Sequence, residues 1–533
     1  MHLPPQGRGW GVTLVSLGLF AAVCAGCSGP EFDVPISFVV PTGHNSFDDL
    51  SYLSAKARYG DGRSYDFFLD APSSGSQWDI PMMPAGAEVT MTFEGLVPDG
   101  LGGDGQVVVA SGVAGPLAFD PENPGSARVL FTRRGRTGSL PGGSHPALEP
   151  QVVELPDGRL LSLGGASGFG GGDPLALENA SVFEVNGTDQ AWQFAPVEPM
   201  RGPRMDFAAV LVEGSDTEFD GKVVVVGSLP LVEGRSGRIV VDEEAETLEE
   251  ARDLGIPEVF DPSTGTWEDF EEDPVMRLNA ARGHHALVQV GSELYVFGGI
   301  TLDEGGGLQA TTETLRIPLD GGETELLSAM GDPRWRHTAT RVGADRVVVV
   351  GGAAIPSVGA DIPEVPLVER YDASENEWVA LGDLEPARAD HVAVALPDGR
   401  VLVAAGVAET DSLALAETWF IDPGATGQDE EPFTRGPDML TPRARADARL
   451  LPEGRVIVCG GEDSDGQGVV GCEIWTPGGE DALGGWAPAS DPEIIYTPRV
   501  GSKLALLDSG DVLVVGGQSD DGSLVNDLLV HTP

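Results

Sequence analysis

Short apolar runs that end in two small residues recur along most of this chain. The seven copies are residues 159–165 (RLLSLGG), 222–228 (KVVVVGS), 293–299 (ELYVFGG), 346–352 (RVVVVGG), 400–406 (RVLVAAG), 455–461 (RVIVCGG) and 511–517 (DVLVVGG). Apolar residues at consecutive positions, instead of every second one, are typical of a strand that is buried on both faces. From the third copy on, the first small residue falls at 298, 351, 405, 460 and 516, so the steps lengthen only from 53 to 56 residues. A period of this size indicates a repeat architecture.

Each run is framed by features of neighbouring strands. Before it, Pro-Asp-Gly or Pro-Glu-Gly at 156–158, 397–399 and 452–454 predicts a tight hairpin turn, because these residues accept the backbone angles that such a turn needs. After it, a Glu-x-aromatic motif stands at 258–260, 369–371, 417–419 and 473–475. In two copies a tryptophan follows seven residues beyond the aromatic, at Trp267 and Trp378. The pattern predicts four antiparallel strands in each unit.

This order of apolar run, glycine pair, aromatic residue and tryptophan resembles the kelch repeat of the kelch and galactose oxidase-like superfamily. The resemblance implies that each unit forms one four-stranded blade, and hence a seven-bladed kelch-type β-propeller over residues 137–533. The seventh unit lacks a sequence for its fourth strand. We therefore expect a strand from before the first unit, residues 137–140 or residues 128–131, to complete it and remove the open edge.

Residues 28–136 lack the repeat but keep short strand-like segments between turn residues. Six or seven strands in about a hundred residues predict a small β-sandwich, immunoglobulin-like in outline. We expect this domain to act as a spacer ahead of the propeller. The predicted fold class is all-β, with a β-sandwich followed by a seven-bladed propeller.

The first 27 residues have the pattern of an export signal, with Arg8 ahead of an apolar stretch. Ala25, Gly26 and Cys27 resemble the end of a bacterial lipoprotein signal peptide, and this implies that Cys27 is lipidated and anchors the protein. Cys24 departs from the aliphatic residue usual at its position, so ordinary cleavage after Ala25 stays open. By the same resemblance, Ser28 implies the outer membrane. The alternative location is the periplasm or the medium.

The composition excludes one class of partner. Asp and Glu number 84 against 32 Lys and Arg, and a surface of this charge repels nucleic acid.

Cys459 and Cys472 lie on two successive predicted strands of the sixth unit. Export permits a disulfide between them, and two buried thiols are the alternative.

An arginine precedes the first strand of six units, and three of the units carry a histidine three residues later. The arginines are Arg204, Arg282, Arg334, Arg388, Arg443 and Arg499. They form either a rim of guanidinium groups for an anionic ligand or internal pairs with glutamates such as Glu369 and Glu417, and the second interpretation is favoured. His285, His337 and His391 keep the same register, which favours a role in the repeat over a metal site.

Two further kinds of chemistry have candidate residues in the repeat region. Residues 463–466 (DSDG) and 520–523 (DDGS) could coordinate Ca²⁺, although Asp-Gly turns explain them as well. Galactose oxidase-like enzymes hold copper through two tyrosines and two histidines, with one tyrosine linked to a cysteine. Here Tyr496 is followed by Thr497, and both cysteines of the mature chain lie in one unit. No catalytic residue, no metal site and no cofactor other than that weak Ca²⁺ candidate is predicted.

The sequence therefore predicts a non-enzymatic binding protein at the cell surface or in the periplasm. A loop-lined propeller face is expected to bind a protein or a glycan, and the chain is expected to be a monomer. An insertion at 229–257, which includes an acidic stretch at 242–253 with the spacing of a short helix, is a candidate contact on the rim. The alternative is an enzyme of oxidase or glycan-processing type in the propeller mouth.

Overall fold

The computed structural model describes residues 31–42, 44, 46–70, 77–98, 106–119, 127–140, 145–168, 175–184, 193–229, 231–233, 239–241, 253–270, 273–279, 281–302, 308–354, 364–408, 413–425, 431–479, 483–489 and 497–533. Cys27, the rest of the export segment, Tyr496 and residues 242–252 of the acidic stretch lie outside the described residues. The fold is all-β, as the sequence predicts.

The N-terminal region consists of two sheets around one apolar core. Its strands are β1 (Glu31–Val39), β2 (Tyr52–Arg58), β3 (Ser64–Asp70), β4 (Gln77–Pro84), β5 (Gly86–Pro98), β6 (Gln106–Phe119), β7 (Ala127–Leu130) and β8 (Thr132–Arg133). One sheet has the order β4-β1-β7 and the other the order β3-β2-β5-β6-β8. Between them, the ring of Phe38 packs against the rings of Phe93 and Phe131 at centroid distances of 5.2 Å. Apolar residues alternate along β2, where Leu53, Ala55 and Ala57 point into this core.

The described residues from 136 onward include seven four-stranded antiparallel sheets, here called the seven-sheet array. The first three sheets contain β10 (Gln151–Glu154), β11 (Leu160–Leu163), β12 (Ala180–Glu184), β13 (Gln193–Pro196); β14 (Ala208–Leu211), β15 (Val223–Val226), β18 (Glu258–Asp261), β19 (Thr266–Asp269); and β21 (Ala286–Val290), β22 (Glu293–Phe297), β25 (Thr314–Pro318), β26 (Glu325–Leu326). The fourth and fifth contain β27 (Thr338–Val342), β28 (Arg346–Val350), β29 (Leu367–Asp372), β30 (Glu377–Asp383); and β31 (Val392–Ala395), β32 (Val401–Ala404), β35 (Trp419–Ile421), β36 (Phe433–Arg435).

The sixth sheet contains β37 (Asp447–Leu450), β38 (Val456–Cys459), β39 (Cys472–Thr476) and β40 (Gly485–Pro488). The seventh contains β41 (Lys503–Leu506), β42 (Val512–Val515), β43 (Leu528–Thr532) and, from before the first sheet, β9 (Arg136–Leu140). Smaller elements lie in the connections: β16 (Leu231–Glu233), β17 (Ile239–Val241), β20 (Arg282–Gly283), β23 (Ile300–Leu302), β24 (Leu308–Ala310), β33 (Val407–Ala408), β34 (Leu413–Ala414), the helix α1 (Pro274–Asn279) and a 3₁₀ turn at Pro452–Gly454.

Of the two segments predicted to complete the last sheet, residues 137–140 do so. His531 of β43 is opposite Thr137 of β9, and their side chains meet at 2.9 Å between Nδ1 and Oγ1. Residues 127–130 form β7, which pairs in parallel with β1 instead. The seventh sheet is thus closed by a strand that precedes the first sheet in the chain.

The second strand of each sheet is buried on both faces. In β28 all four valines from Val347 to Val350 have no exposed surface. Val347 and Val349 belong to one apolar cluster with Phe297 of the third sheet, whereas Val348 and Val350 belong to another that includes Val401 of the fifth. Each such side chain contributes about 1.5–3 kcal/mol by leaving water, so consecutive apolar residues follow from packing between two neighbouring sheets.

The first strands of neighbouring sheets contact each other, from β10 through β41, and β41 in turn contacts β10. Backbone hydrogen bonds repeat this link from sheet to sheet. The N–H of Gly352 donates to the carbonyl of Arg388 in the next sheet at 2.9 Å, and the N–H of Gly517 donates to the carbonyl of Ala147 in the first sheet at 2.8 Å. The described sheets therefore form a closed cycle of contacts.

The N-terminal region is joined to the seventh sheet by buried polar contacts. Asp511 accepts hydrogen bonds from the hydroxyls of Thr132 and Thr532 at 2.8 and 2.5 Å. His44 Nδ1 accepts the N–H of Arg133 at 3.0 Å, so its Nε2–H donates to the carbonyl of Val530 at 3.1 Å. These contacts fix the N-terminal region to the outer side of β9 and β43.

Candidate functional site

Seven residues, one from each connection into a first strand, form what we call the charged ring. They are Glu149, Asp206, His284, Arg336, Asp390, Arg445 and Gly501. All seven have a positive φ, between 50° and 66°. Five of the links between neighbours are backbone hydrogen bonds of 2.8–3.3 Å, in which the N–H of one residue donates to the carbonyl of the ring residue before it. The ring lies at the end of the array where the first strands begin and where the loops after the second strands also emerge.

The side chains of the ring pair with one another. His284 Nε2 lies 3.3 Å from Asp206 Oδ2, and Arg336 Nη1 lies 3.2 Å from Asp390 Oδ2. The third pair spans Gly501, since Arg445 and Glu149 belong to the sheets on either side of it. Two carboxylate–guanidinium pairs and one carboxylate–imidazole pair thus occupy the six positions that carry side chains.

Gly501 makes the third pair possible. Arg445 donates from Nε to Glu149 Oε1 at 3.0 Å. A Cβ on Gly501 would lie 2.7 Å from Glu149 Cγ, closer than real contacts allow. The missing side chain at this position leaves the space through which the Arg445–Glu149 pair forms.

Glu149 shows how strongly the ring holds its charges. Burial alone would raise the pKa of this carboxyl, but the positive charges of Arg445 and Lys503 and the hydrogen bond from Arg445 lower the pKa to about 2. Glu149 is therefore ionised at neutral pH. Elsewhere on the ring, the Arg336 guanidinium stacks over the ring of the buried Trp335 at 4.2 Å, which gives this cation a second fixed contact.

The six arginines singled out in the sequence lie within the sheets, with exposed fractions of 0–2%. Each donates from Nη1 to the carbonyl of the first small residue of its own unit, at 2.6–3.4 Å. Five also bond a carboxylate of the third strand or the turn before it, as Arg334 does with Glu369 and Arg443 with Glu473; the other three pairs are Arg204–Glu258, Arg282–Glu313 and Arg499–Asp527. Their guanidinium groups are therefore committed to the fold rather than presented at a rim.

Arg388 departs from this arrangement. Its Nη1 donates to the carbonyls of Ala405 and Glu417, both at 3.2 Å, but its buried Nη2 has no hydrogen-bond partner among the described residues. Burial lowers the pKa of Arg388 to about 10, and the negative charge of Glu417 opposes that decrease. The glutamate predicted to pair with Arg388 is thus reached through its backbone carbonyl and not through its carboxylate.

The first unit replaces the arginine and glutamate with two neutral side chains. Ala147 occupies the backbone position of the arginine, since its carbonyl accepts the N–H of Gly517. His145 reaches the carbonyl of Gly164 at 3.3 Å with Nε2 and Ser181 Oγ at 3.3 Å with Nδ1. Burial lowers the pKa of His145. The sequence pattern does not reveal this replacement, because the histidine stands two residues before the arginine position.

The histidines in register with the arginines are buried beneath the glycine pairs. His285, His337 and His391 are 6–8% exposed, and burial lowers the pKa of each, to about 3 for His285 and His391. A Cβ on Gly351 would lie 2.9 Å from His391 Cε1. Among the described residues, no three His, Cys, Asp or Glu side chains are grouped so that they could hold a metal ion.

The two Asp-rich loops use their carboxylates inside turns. Asp463 Oδ1 accepts the N–H groups of Asp465 and Gln467 at 2.9 Å, and Asp521 Oδ1 accepts both N–H and hydroxyl of Ser523. In the same unit as the first loop, Cys459 and Cys472 stand opposite each other on β38 and β39 and are joined by a disulfide, with Cα atoms 4.1 Å apart. Within the described part of the chain, no helix is long and apolar enough to cross a membrane.

The charged ring is not predicted from the sequence, although its position is simple. Each ring residue stands two places after the repeated arginine, or after Ala147 in the first unit. The position is charged or histidine in six units, with a negative charge in some units and a positive charge in others. A search for identical residues passes over such a position, whereas a search for positions that are mostly ionisable but vary in sign would have found it.

No family model matches this chain. One curated protein, Adagio-like protein 3 of Oryza sativa subsp. japonica, is 25% identical over 254 residues, which cover 45% of this chain. The match spans 38% of the length of that relative. Among solved structures, one titled "Structure of YjhT" is matched with a TM-score of 0.43 and 12% identity, over 64% of this chain and 99% of that one.

Proposed function

We propose that residues 137–533 form a seven-bladed kelch-type β-propeller and that residues 28–136 form a small immunoglobulin-like β-sandwich before it. Seven four-stranded sheets, the closed cycle of first-strand contacts and the completion of the seventh sheet by β9 support this architecture. So does the partial match to Adagio-like protein 3, a kelch-family relative. In this arrangement the charged ring surrounds the mouth of the central channel.

We infer that the protein binds a protein or a glycan through this mouth and its surrounding loops and is not an enzyme. The charged ring carries the proposal. A residue other than glycine with positive φ costs about 1 kcal/mol or more, and Gly501 shows that glycine fits the position. Six of the seven positions nevertheless carry a polar, ionisable side chain, which indicates that the side chains are needed for recognition.

The electrostatics favour binding over acid–base catalysis. A general acid or base works best with a pKa near the working pH, and a glycan-cleaving pair needs one carboxyl with a raised pKa. Glu149 has its pKa lowered to about 2, and the other two carboxylates of the ring each face a cation or a histidine. Such fixed charges suit the orientation of polar groups on a partner.

For location and assembly we propose an exported monomer, tethered to the bacterial outer membrane by a lipid on Cys27, with release to the periplasm or the medium as the alternative. Mass spectrometry of the mature N-terminus separates these two cases, since acylation adds the mass of the lipid to Cys27 and ordinary cleavage leaves an unmodified chain.

The test of binding replaces ring residues with glycine, which suits the positive φ. The triple variant Asp206→Gly, Arg336→Gly, Arg445→Gly is compared with the unchanged chain 28–533 for binding to outer-membrane vesicles of the producing organism and to a glycan array. We expect at least a tenfold loss of binding at a temperature below the thermal midpoints of both proteins, and a lower midpoint for the variant because Arg445→Gly removes the cation that pairs with Glu149. Arg435→Ala, which breaks an exposed ion pair with Asp438, is the matched control. Undiminished binding by the triple variant would refute the role of the ring.

A further inference from the structure

The outward face of the five-stranded N-terminal sheet carries exposed aromatic side chains. Along β2, residues alternate between the core and the solvent, and Tyr52 faces outward with 45% of its surface exposed. On the neighbouring strand β3, Phe68 is 67% exposed. Phe68 pairs with Ser54, two residues from Tyr52 on the same face, so the two rings are diagonal neighbours.

Two aliphatic residues extend this pair into a row across four strands. Tyr52 is paired with Leu96 on β5, and Leu96 is paired with Val108 on β6. Tyr52, Leu96 and Val108 follow one another as paired residues, and Phe68 continues them diagonally on β3, so the four residues form a slanted row, here called the apolar strip. Leu96 and Val108 are partly exposed and belong to no apolar core cluster among the described residues. With strands about 4.8 Å apart, the strip is about 14 Å long and one side chain wide.

Polar groups border the strip. Ser54, between the aromatic rings, and Glu94, its partner on β5, offer a hydroxyl and an exposed carboxylate beside the strip. The next row holds Lys56 and Asp66, which pair with each other at 3.4 Å. A row of aromatic and aliphatic surface with hydrogen-bonding groups along one side matches a sugar chain, whose rings present C–H faces to aromatic rings and hydroxyl groups at their edges.

The shape and charge of the strip decide between occupants. A stable dimer buries about 800 Å² on each partner, and four side chains in a single line fall well short of that. A linear chain of about three sugar rings has the length of the strip. The net charge of −52 repels anionic polymers, so a neutral polysaccharide fits the strip better than an anionic one.

We propose that the apolar strip binds a linear, neutral polysaccharide laid across the strands, with pyranose rings stacked on Phe68 and Tyr52 and hydroxyl groups bonded to Ser54 and Glu94. This site lies in the N-terminal region and does not depend on the charged ring. It gives the protein a second recognition surface on a different domain.

The test is affinity electrophoresis of the chain 28–533 in gels that contain linear mixed-linkage β-glucan, xylan, galactomannan or, as a charged comparison, alginate. We expect at least one of the neutral polymers to retard the protein, and alginate to have no effect. Phe68→Ala and Tyr52→Ala should each weaken retardation at least tenfold, whereas Tyr52→Phe, which keeps the ring, should retain it. Leu326→Ala removes a 55% exposed side chain of the seven-sheet array and is the control without effect.

Three results would overturn the proposal: no retardation by any neutral polymer, equal retardation of the Phe68→Ala variant, or stronger retardation by alginate. Sedimentation equilibrium measures the oligomeric state. If the unchanged protein is a dimer and Phe68→Ala is a monomer, the strip serves self-association and the proposal is wrong. The triple glycine variant of the charged ring should bind the polysaccharide like the unchanged chain, so failure of one proposal is separable from failure of the other.

Discussion

The packing of His391 beneath the glycine pair at 351–352 predicts the effect of one added methyl group. Gly351 has φ +60°, and a Cβ there would lie 2.2 Å from the carbonyl oxygen of Arg388 and 2.9 Å from His391 Cε1. Gly351→Ala should therefore destabilise the folded state by about 1–2 kcal/mol through the left-handed backbone conformation and by about 1–3 kcal/mol through overpacking. Gly343 has φ +70°, and no atom lies within 4 Å of the place that a Cβ would take, so Gly343→Ala should show the backbone cost alone.

The fifth sheet already contains the double substitution in natural form. Ala405 stands at the position of Gly351 with φ +62°, and Ala446 stands at the position of His391 in the next sheet. The link between the sheets survives there, since the N–H of Gly406 still donates to the carbonyl of Arg443 at 2.9 Å. Removing the His391 side chain should therefore remove part of the steric overlap that the added methyl group causes.

We expect Gly351→Ala to lower the free energy of unfolding by about 2–5 kcal/mol, and His391→Ala to lower it by about 2–3 kcal/mol through the lost hydrogen bond to Thr338 and the space left behind. The double variant should be more stable than the sum of the two losses by about 1–3 kcal/mol. Urea unfolding followed by tryptophan fluorescence, under one set of conditions, measures the unchanged protein, the two single variants, the double variant and Gly343→Ala. An additive double variant, or a Gly351→Ala loss no greater than that of Gly343→Ala, would refute the packing argument.

Two further predictions concern buried charge. Arg443→Met should reduce the free energy of unfolding by about 3–5 kcal/mol, because it leaves the Glu473 carboxylate buried without its cation. Arg388 bonds no carboxylate of a described residue, so Arg388→Met should reduce the free energy of unfolding clearly less. Equal urea midpoints for the two variants would contradict this prediction. Burial lowers the pKa of His44 to about 4 in the folded protein. As the pH falls from 6.5 to 4, His44 is protonated in the unfolded chain but not in the folded one, so the free energy of unfolding should decrease by about 3 kcal/mol through this residue. His44→Gln should flatten that part of the pH dependence of the urea midpoint, and an unchanged slope would exclude His44 as its source.

The sequence predicted the features that every unit repeats. The run at 346–350 is apolar throughout because its two faces meet two different sheets, so its burial can be deduced without coordinates. The sequence predicted that one of two segments before the first unit completes the last sheet, and β9 is the segment that pairs with β43. The choice between residues 137–140 and residues 128–131 depended on where the N-terminal sheets place β7, and this is a tertiary contact with no local signal.

The features that differ from unit to unit were harder to predict. In the first unit His145 takes the place of the arginine, although it stands two residues earlier in the chain. The equivalence is visible only in the structure, where His145 and the arginines each contact the carbonyl of the first small residue in their own unit. The charged ring depends on residues from seven distant segments, and the pairing of Arg445 with Glu149 across Gly501 follows from the cycle of sheets. Repetition in the sequence predicts the scaffold, whereas the residues that we propose for recognition stand at positions that differ from unit to unit.

The pairing of β9 with β43 also has a consequence for the order in which the chain is made. Thr137 and His531 are 394 residues apart, so β9 leaves the ribosome long before the strand that will cover its inner edge. Its outer edge is covered early, because the backbone of Thr42 exchanges hydrogen bonds with Ser139 at 2.9 and 3.2 Å. The N-terminal region thus covers one of the two open edges of β9 during synthesis, until the final strand pairs with the other edge.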